Sequence, residues 1–115
     1  MIQFYPDLSQ RIDEMAEGDE DFRAELTQAI FEGLVELKAK YAEGLDKKDL
    51  VIIQQVRHKL KPTLSMFDLD LLSDSLQQGK EILETEGFSQ KFNVHYRDFE
   101  VKINSAIEEV GKMVN

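Results

Sequence analysis

Arg57-His58-Lys59-Leu60-Lys61-Pro62 is the stretch whose residue types could do chemistry. Four cationic or titratable side chains crowd into five positions there, in a chain whose formal net charge is −9. Such a local inversion of charge points to an anionic group being handled at this place. Histidine suits the handling, because a neutral imidazole nitrogen is a nucleophile that accepts and releases a small charged group near neutral pH. On a helical wheel of about 100° per residue with His58 at zero, Ile53, Val56, Leu60, Leu64 and Phe67 gather within roughly 60° of the opposite pole. His58 is therefore expected on the solvent face, together with Gln54, Gln55, Lys61, Pro62, Ser65 and, two turns earlier, Val51. None of these positions is required by a core. Lys61 stands one turn beyond His58, where its ammonium can offset the charge of an arriving phosphoryl group. Arg57 and Lys59 lie about 100° to either side and are expected to help only through their field. The arrangement suits phosphoryl acceptance; the plain alternative is a solvated histidine whose neighbouring cations pair with acids elsewhere.

The elements that must position these residues read as helices almost throughout. Asp21 or Asp19 caps a helix whose apolar positions are Phe22, Leu26, Ala29, Ile30, Leu34, Leu37 and Tyr41, with Gly44 as its stop. Asp46 begins a second, with Lys47 and Lys48 unfavourably placed in its first turn and an apolar set of Leu50, Ile53, Val56, Leu60, Leu64 and Phe67. Asp68 caps a third, carrying Leu69, Leu72, Leu76, Ile82 and Leu83 and ending near Gly87, with Gly79 as a weak point inside it. From Ser89 a fourth runs through Phe92, Phe99, Ile103, Ile107 and Val110 to Val114. A short helix from Pro6 to Glu17, presenting Leu8, Ile12 and Met15, precedes them. Short connections favour antiparallel neighbours. The expected fold is thus all-α, an up-and-down antiparallel four-helix bundle with a short additional N-terminal helix, in one domain over residues 1–115.

Composition narrows the function classes. Hydrophobic residues at 42% and only two prolines fit a folded chain rather than a disordered one. With no cysteine, disulfides, thiolate catalysis and zinc–cysteine sites are excluded. The 23 acidic residues against 14 Lys and Arg oppose binding to nucleic acid and to anionic lipid. Met1 to Asp7 has no basic region followed by an apolar run, and no stretch approaches the roughly 18 apolar residues of a membrane span. A cytoplasmic protein with a protein or small-molecule partner is expected.

His58-Lys59-Leu60-Lys61 resembles the H-x-L-K core of histidine-containing phosphotransfer (HPt) domains, which relay phosphoryl groups between receiver domains. Asp21-Phe22-Arg23-Ala24-Glu25-Leu26 resembles the family's early helix, and Leu69 to Leu83 and the C-terminal helix fall where its later helices would. The likeness covers the chain from about residue 19 onward. It implies His58 as phosphoacceptor and Lys61 as the lysine that steadies the phosphoryl group. It also implies receiver domains and a hybrid histidine kinase as partners, with no kinase or phosphatase activity and no bound cofactor of the chain's own; the receiver brings its phospho-aspartate and magnesium ion. Val51, Gln54, Gln55, Lys59, Pro62 and Ser65 are candidates for the docking surface, and a monomer is expected. Two departures stand out: the family usually has glycine where Pro62 and Asp68 stand. Pro62 has no N–H for the His58 carbonyl and crowds it, so a local bend is expected.

Other readings fit less well. A histidine-kinase dimerisation hairpin normally has an acid directly after its histidine, where this chain has Lys59. A di-iron bundle needs Glu-x-x-His units, but the residues three before His58 and His95 are Gln55 and Phe92, so no metal site is read. His95 itself reads as a surface or half-buried helix residue. The closest rival is a non-catalytic HPt-like module that docks receivers without accepting a phosphoryl group. Tyr41, Phe67, Phe88, Phe92 and Phe99 read as core.

Overall fold

The computed structural model describes residues 5–114; Met1–Phe4, read above for its lack of a signal sequence, and Asn115 lie outside them. Among the described residues there are five α-helices and no strand: α1 (Leu8–Ala16), α2 (Glu20–Lys47), α3 (Leu50–Met66), α4 (Asp70–Glu86) and α5 (Gln90–Gly111). None of them is long and apolar enough to cross a membrane.

Helix starts are set by side chains that satisfy the unpaired N–H groups of a first turn. The Asp19 carboxylate accepts from the Phe22 N–H at 3.0 Å, and the Ser89 hydroxyl accepts from the Phe92 N–H at 3.4 Å. Asp49 caps α3, accepting from the Val51 and Ile52 N–H groups at 2.9 and 3.4 Å. Replacing Asp49 by Ala should cost about 1 kcal/mol, as loss of such a cap typically does. Urea denaturation checks this, and an unchanged midpoint would remove the cap from the account.

The boundary between α2 and α3 corrects the sequence reading. Gly44 does not stop α2, and Asp46 does not open α3: α2 runs through both to Lys47. Lys48 then takes a left-handed φ of 53° and turns the chain. Lys47 therefore sits in a last turn, where the helix dipole favours a cation, rather than in a first turn that would oppose it. Gly44 is buried against Ile53, so its missing side chain serves the approach of α3 and not a helix end.

At the next corner Asp68 ends α3 instead of capping α4. It adopts φ 54°, and the following Leu69 N–H bonds the Leu64 carbonyl at 2.9 Å. Leu69 holds the cap position of α4 with no side-chain bond. The Asp68 carboxylate pairs with Arg11 at 3.0 Å, and this ties α1 to the α3–α4 corner. α5 ends at Gly111, short of Val114, which is half-buried beyond it.

α2 touches α1, α3 and α5, while α4 touches α3 and α5. Between them lies the core, with Tyr41, Phe92 and Phe99 fully buried at its middle and the Tyr41 and Phe99 rings 4.3 Å apart. Four residues expected inside are outside. Leu50 is 45% exposed, because on the wheel it falls about 80° from His58, off the apolar stripe. Phe22 and Ala29 are exposed on α2 for the same reason, lying about 80° and 100° from Ile30 and off the stripe of Ile30, Leu34, Leu37 and Tyr41. In α1, Ala16 is buried where Met15 was expected.

Candidate functional site

α3 carries the site, and its wheel decides which way each side chain faces. Ile53, Val56, Leu60 and Leu64 are buried and fix its rotation, so His58 is exposed as expected. Val51, Gln54, Gln55, Lys59, Lys61, Pro62 and Ser65 are exposed as well. Among the described residues the His58 imidazole makes no hydrogen bond, and neither Arg57 nor Lys61 is within ion-pair distance of a carboxylate.

A groove of about 410 Å³ opens between α3 and α4 beside His58. Arg57, Lys61, Leu64 and Ser65 line it from α3; Asp70, Ser73, Leu76, Gln77 and Lys80 line it from α4. The structure therefore brings His58, Lys61 and Ser65 together and leaves Val51, Gln54, Gln55, Lys59 and Pro62 outside the groove. Three cations face one carboxylate here, Arg57, Lys61 and Lys80 against Asp70, although the whole chain is strongly acidic. Lys80 also approaches Glu84 at 3.9 Å, an exposed pair of little strength.

Arg57 and Lys59, equivalent by sequence, part company in the fold. Arg57 turns toward α4 and lines the groove. Lys59 turns toward α2 and holds both carboxylate oxygens of Glu36, at 2.7 and 2.6 Å. With Gln55 it lines a separate, smaller groove of about 230 Å³ against α2. The cation expected to act only at a distance is thus beside His58, and its counterpart is spoken for by an acid.

Ser73, Gln77 and Lys80 were missed by the sequence reading. Their spacing of four and three residues is one stripe of α4, visible in the sequence as a polar run that flanks Leu72, Leu76 and Leu83 at about 90° on the wheel. What no spacing supplied was that this stripe faces His58, because that depends on how the short corner at residues 67–69 folds α4 back.

The two positions that depart from the resemblance have physical accounts. Asp68 holds a left-handed φ of 54°, a conformation glycine takes freely and aspartate tolerates better than most side chains. Pro62 does not end α3, which continues to Met66. Having no N–H, it leaves the His58 carbonyl without the usual donor four residues on.

His95 is not a surface residue. It is 4% exposed, and its Nε2 lies 2.8 Å from the Tyr41 hydroxyl. Burial lowers its pKa from the ordinary value, Asp98 opposes that and Lys102 adds to it. Burial likewise raises the Tyr41 phenol, so both partners are held neutral. The sequence reading had His95 as a surface or half-buried helix residue, and nothing near it in the chain signals that Tyr41, 54 residues away, would meet it.

Among the described residues no group of acids and histidines could hold a metal ion. Compared with known proteins, the chain matches no family model, no curated protein and no solved structure.

Proposed function

We propose that this chain is an HPt-type phosphotransfer protein of the cytoplasm, in which His58 accepts a phosphoryl group from a receiver-domain aspartate and passes it on. The observation that carries the reading is an exposed, unbonded imidazole at the rim of a cationic groove on an acidic protein. In the transfer, an imidazole nitrogen of His58 attacks the phosphorus and a P–N bond forms. The P–O bond to the partner's aspartate breaks, and the carboxylate leaves with the electron pair. Arg57, Lys61 and Lys80 supply positive charge where the phosphoryl oxygens arrive. The partner completes the site, so no deep pocket is required. Receivers and a hybrid histidine kinase are the partners, and the chain acts as a monomer.

The same reading takes the architecture as an up-and-down antiparallel four-helix bundle with α1 added. Its support is the closed ring of neighbours α2–α3–α4–α5–α2 and the order of contacts along them. Gly33 meets Leu60, Glu36 meets Lys59 and Gly44 meets Ile53, so positions rise on α2 as they fall on α3. Phe31 with Gly111 and Tyr41 with His95 give the same sense for α2 and α5.

The experiment is phosphoryl transfer from a panel of phosphorylated receiver domains, with site mapping of acid-labile product. Label on His58 supports the relay. Receiver binding without label would leave a docking module, and neither binding nor label would remove the reading altogether. Lys61→Ala should slow acceptance about tenfold, equivalent to about 1.4 kcal/mol of transition-state charge stabilisation, because an exposed ammonium is partly screened. Initial rates of label uptake check this, and an unchanged rate would take Lys61 out of the mechanism.

A further inference from the structure

Behind the α4 side of the groove lies a buried contact that the phosphoryl reading does not use. Gly79 lies in the middle of α4, buried, two residues after Gln77 and directly before Lys80. A Cβ there would overlap both the Tyr41 hydroxyl and the His95 Nε2. The hydrogen-bonded Tyr41–His95 pair therefore packs straight onto the α4 backbone, and only glycine permits so close an approach. One turn of α4 thus has Tyr41 and His95 on its inside and presents Gln77 and Lys80, across from His58, on its outside. The charge of Arg57, on the groove wall, also reaches the Tyr41 hydroxyl from α3.

We propose that the Tyr41–His95 pair is the seat of α4: it sets where Gln77 and Lys80 stand relative to His58, and protonation of His95 releases α4 from that position. As a device acting on phosphoryl transfer, this rests on the reading of the groove given above; as a property of the fold, it does not.

The chemistry of the seat makes it sensitive to protons. His95 Nδ1 is buried, and among the described residues it has no hydrogen-bond partner. A neutral ring meets this by carrying its one proton on Nε2, toward the Tyr41 hydroxyl, which leaves Nδ1 a bare acceptor with no buried N–H unpaired. A protonated ring has an N–H at both nitrogens, and the Nδ1 donor then faces no acceptor in the core. The charged groups around the ring do not rescue it. Asp98 and Lys102, both of α5, act in opposite senses and pair with each other at 2.7 Å. From α2 the facing group is the neutral Tyr41 hydroxyl and from α4 the Gly79 backbone; from α3 the charge of Arg57 is felt at the Tyr41 hydroxyl and has the same sign as an imidazolium. A base whose pKa is lowered on folding binds fewer protons in the native state than in the unfolded chain. Stability is then complete above the ordinary histidine value of 6.5 and declines as the pH falls through it.

The chain has two histidines, and that makes the test clean. In His58→Gln, His95 is the remaining imidazole, and two-dimensional NMR can follow its ring together with the Gln77 and Lys80 amides from about pH 7.5 to about pH 5. The amide signals should move with the His95 midpoint, below 6.5, and the response should vanish in His58→Gln/His95→Gln, which has no imidazole. Amides that stay still while His95 titrates, or that move equally without it, would overturn the proposal. Should the double variant fail to fold, urea denaturation of His58→Gln decides. Its midpoint should be lower by about 0.5 M or more at about pH 5.5 than at about pH 7.5, and an unchanged midpoint overturns the seat. Neither readout uses phosphoryl transfer, so a chain that accepts no phosphoryl group would sink the function and leave these results to judge the seat.

Discussion

His58→Gln is expected to abolish phosphoryl acceptance while leaving the unfolding free energy within about 0.5 kcal/mol of the parent. The amide of glutamine has nearly the reach of the imidazole but no nucleophilic nitrogen, so chemistry is lost without loss of shape. Stability should hold because His58 is exposed, makes no hydrogen bond among the described residues and contributes nothing to the stripe of Ile53, Val56, Leu60 and Leu64. Glutamine is also at least as good a helix former as histidine. Label uptake and urea denaturation, run on the same preparation, separate the two effects. Label retained in the variant would move the acceptor elsewhere. His95 is the only other histidine in the sequence, and at 4% exposure, with Nε2 against Tyr41, it is closed to a partner protein. A large stability loss would mean that the rotation of α3 is misassigned.

That rotation is legible in the sequence because one side of α3 is apolar at helical spacing and the other is not. Burial of a stripe fixes a helix about its axis, and everything else on the helix follows. The exposure of His58, Lys61 and Ser65 therefore follows from residue spacing alone. Leu50 shows the limit of the same logic. Being apolar, it was assigned to the core, yet its angle puts it off the stripe, and the structure leaves it in solvent. Position on the wheel outweighed residue type.

What the sequence did not carry was the relation between helices. Arg57 and Lys59 look alike one residue to either side of His58, and only the neighbours decide that one enters the groove while the other binds Glu36. Gln77 and Lys80 reach the site through the fold of the α3–α4 corner, where Asp68 takes a conformation that local sequence rules assign first to glycine. His95 was misread for the same reason: its partner is a tyrosine on a different helix. The positional information lies in pairwise packing, and no single-helix periodicity encodes it.

Gly44 gives the strongest test of that packing. Gly44→Leu should destabilise the protein by about 3 kcal/mol or more, the upper range for forcing extra atoms into a filled core. Glycine at this place was read as a helix end, yet α2 runs on for three more residues, to Lys47. Its role is the crossing of α2 and α3: even a single Cβ would overlap Ile53 Cγ1 and stand 3.4 Å from the Asp49 carbonyl. Ile53 cannot swing away, because it is β-branched, 1% exposed and walled in by the core. The milder Gly44→Ala separates two opposing effects. On helix propensity alone, alanine would stabilise by about 1 kcal/mol over glycine. The overlap should outweigh that gain and leave a net loss of about 1–2 kcal/mol. Urea denaturation of both variants gives the answer in its sign. If alanine stabilises, glycine is there by accident and α3 has room to move outward. If alanine destabilises, and costs less in an Ile53→Ala background that lacks the overlapping Cγ1, the close crossing is what holds α3, and with it His58, in place.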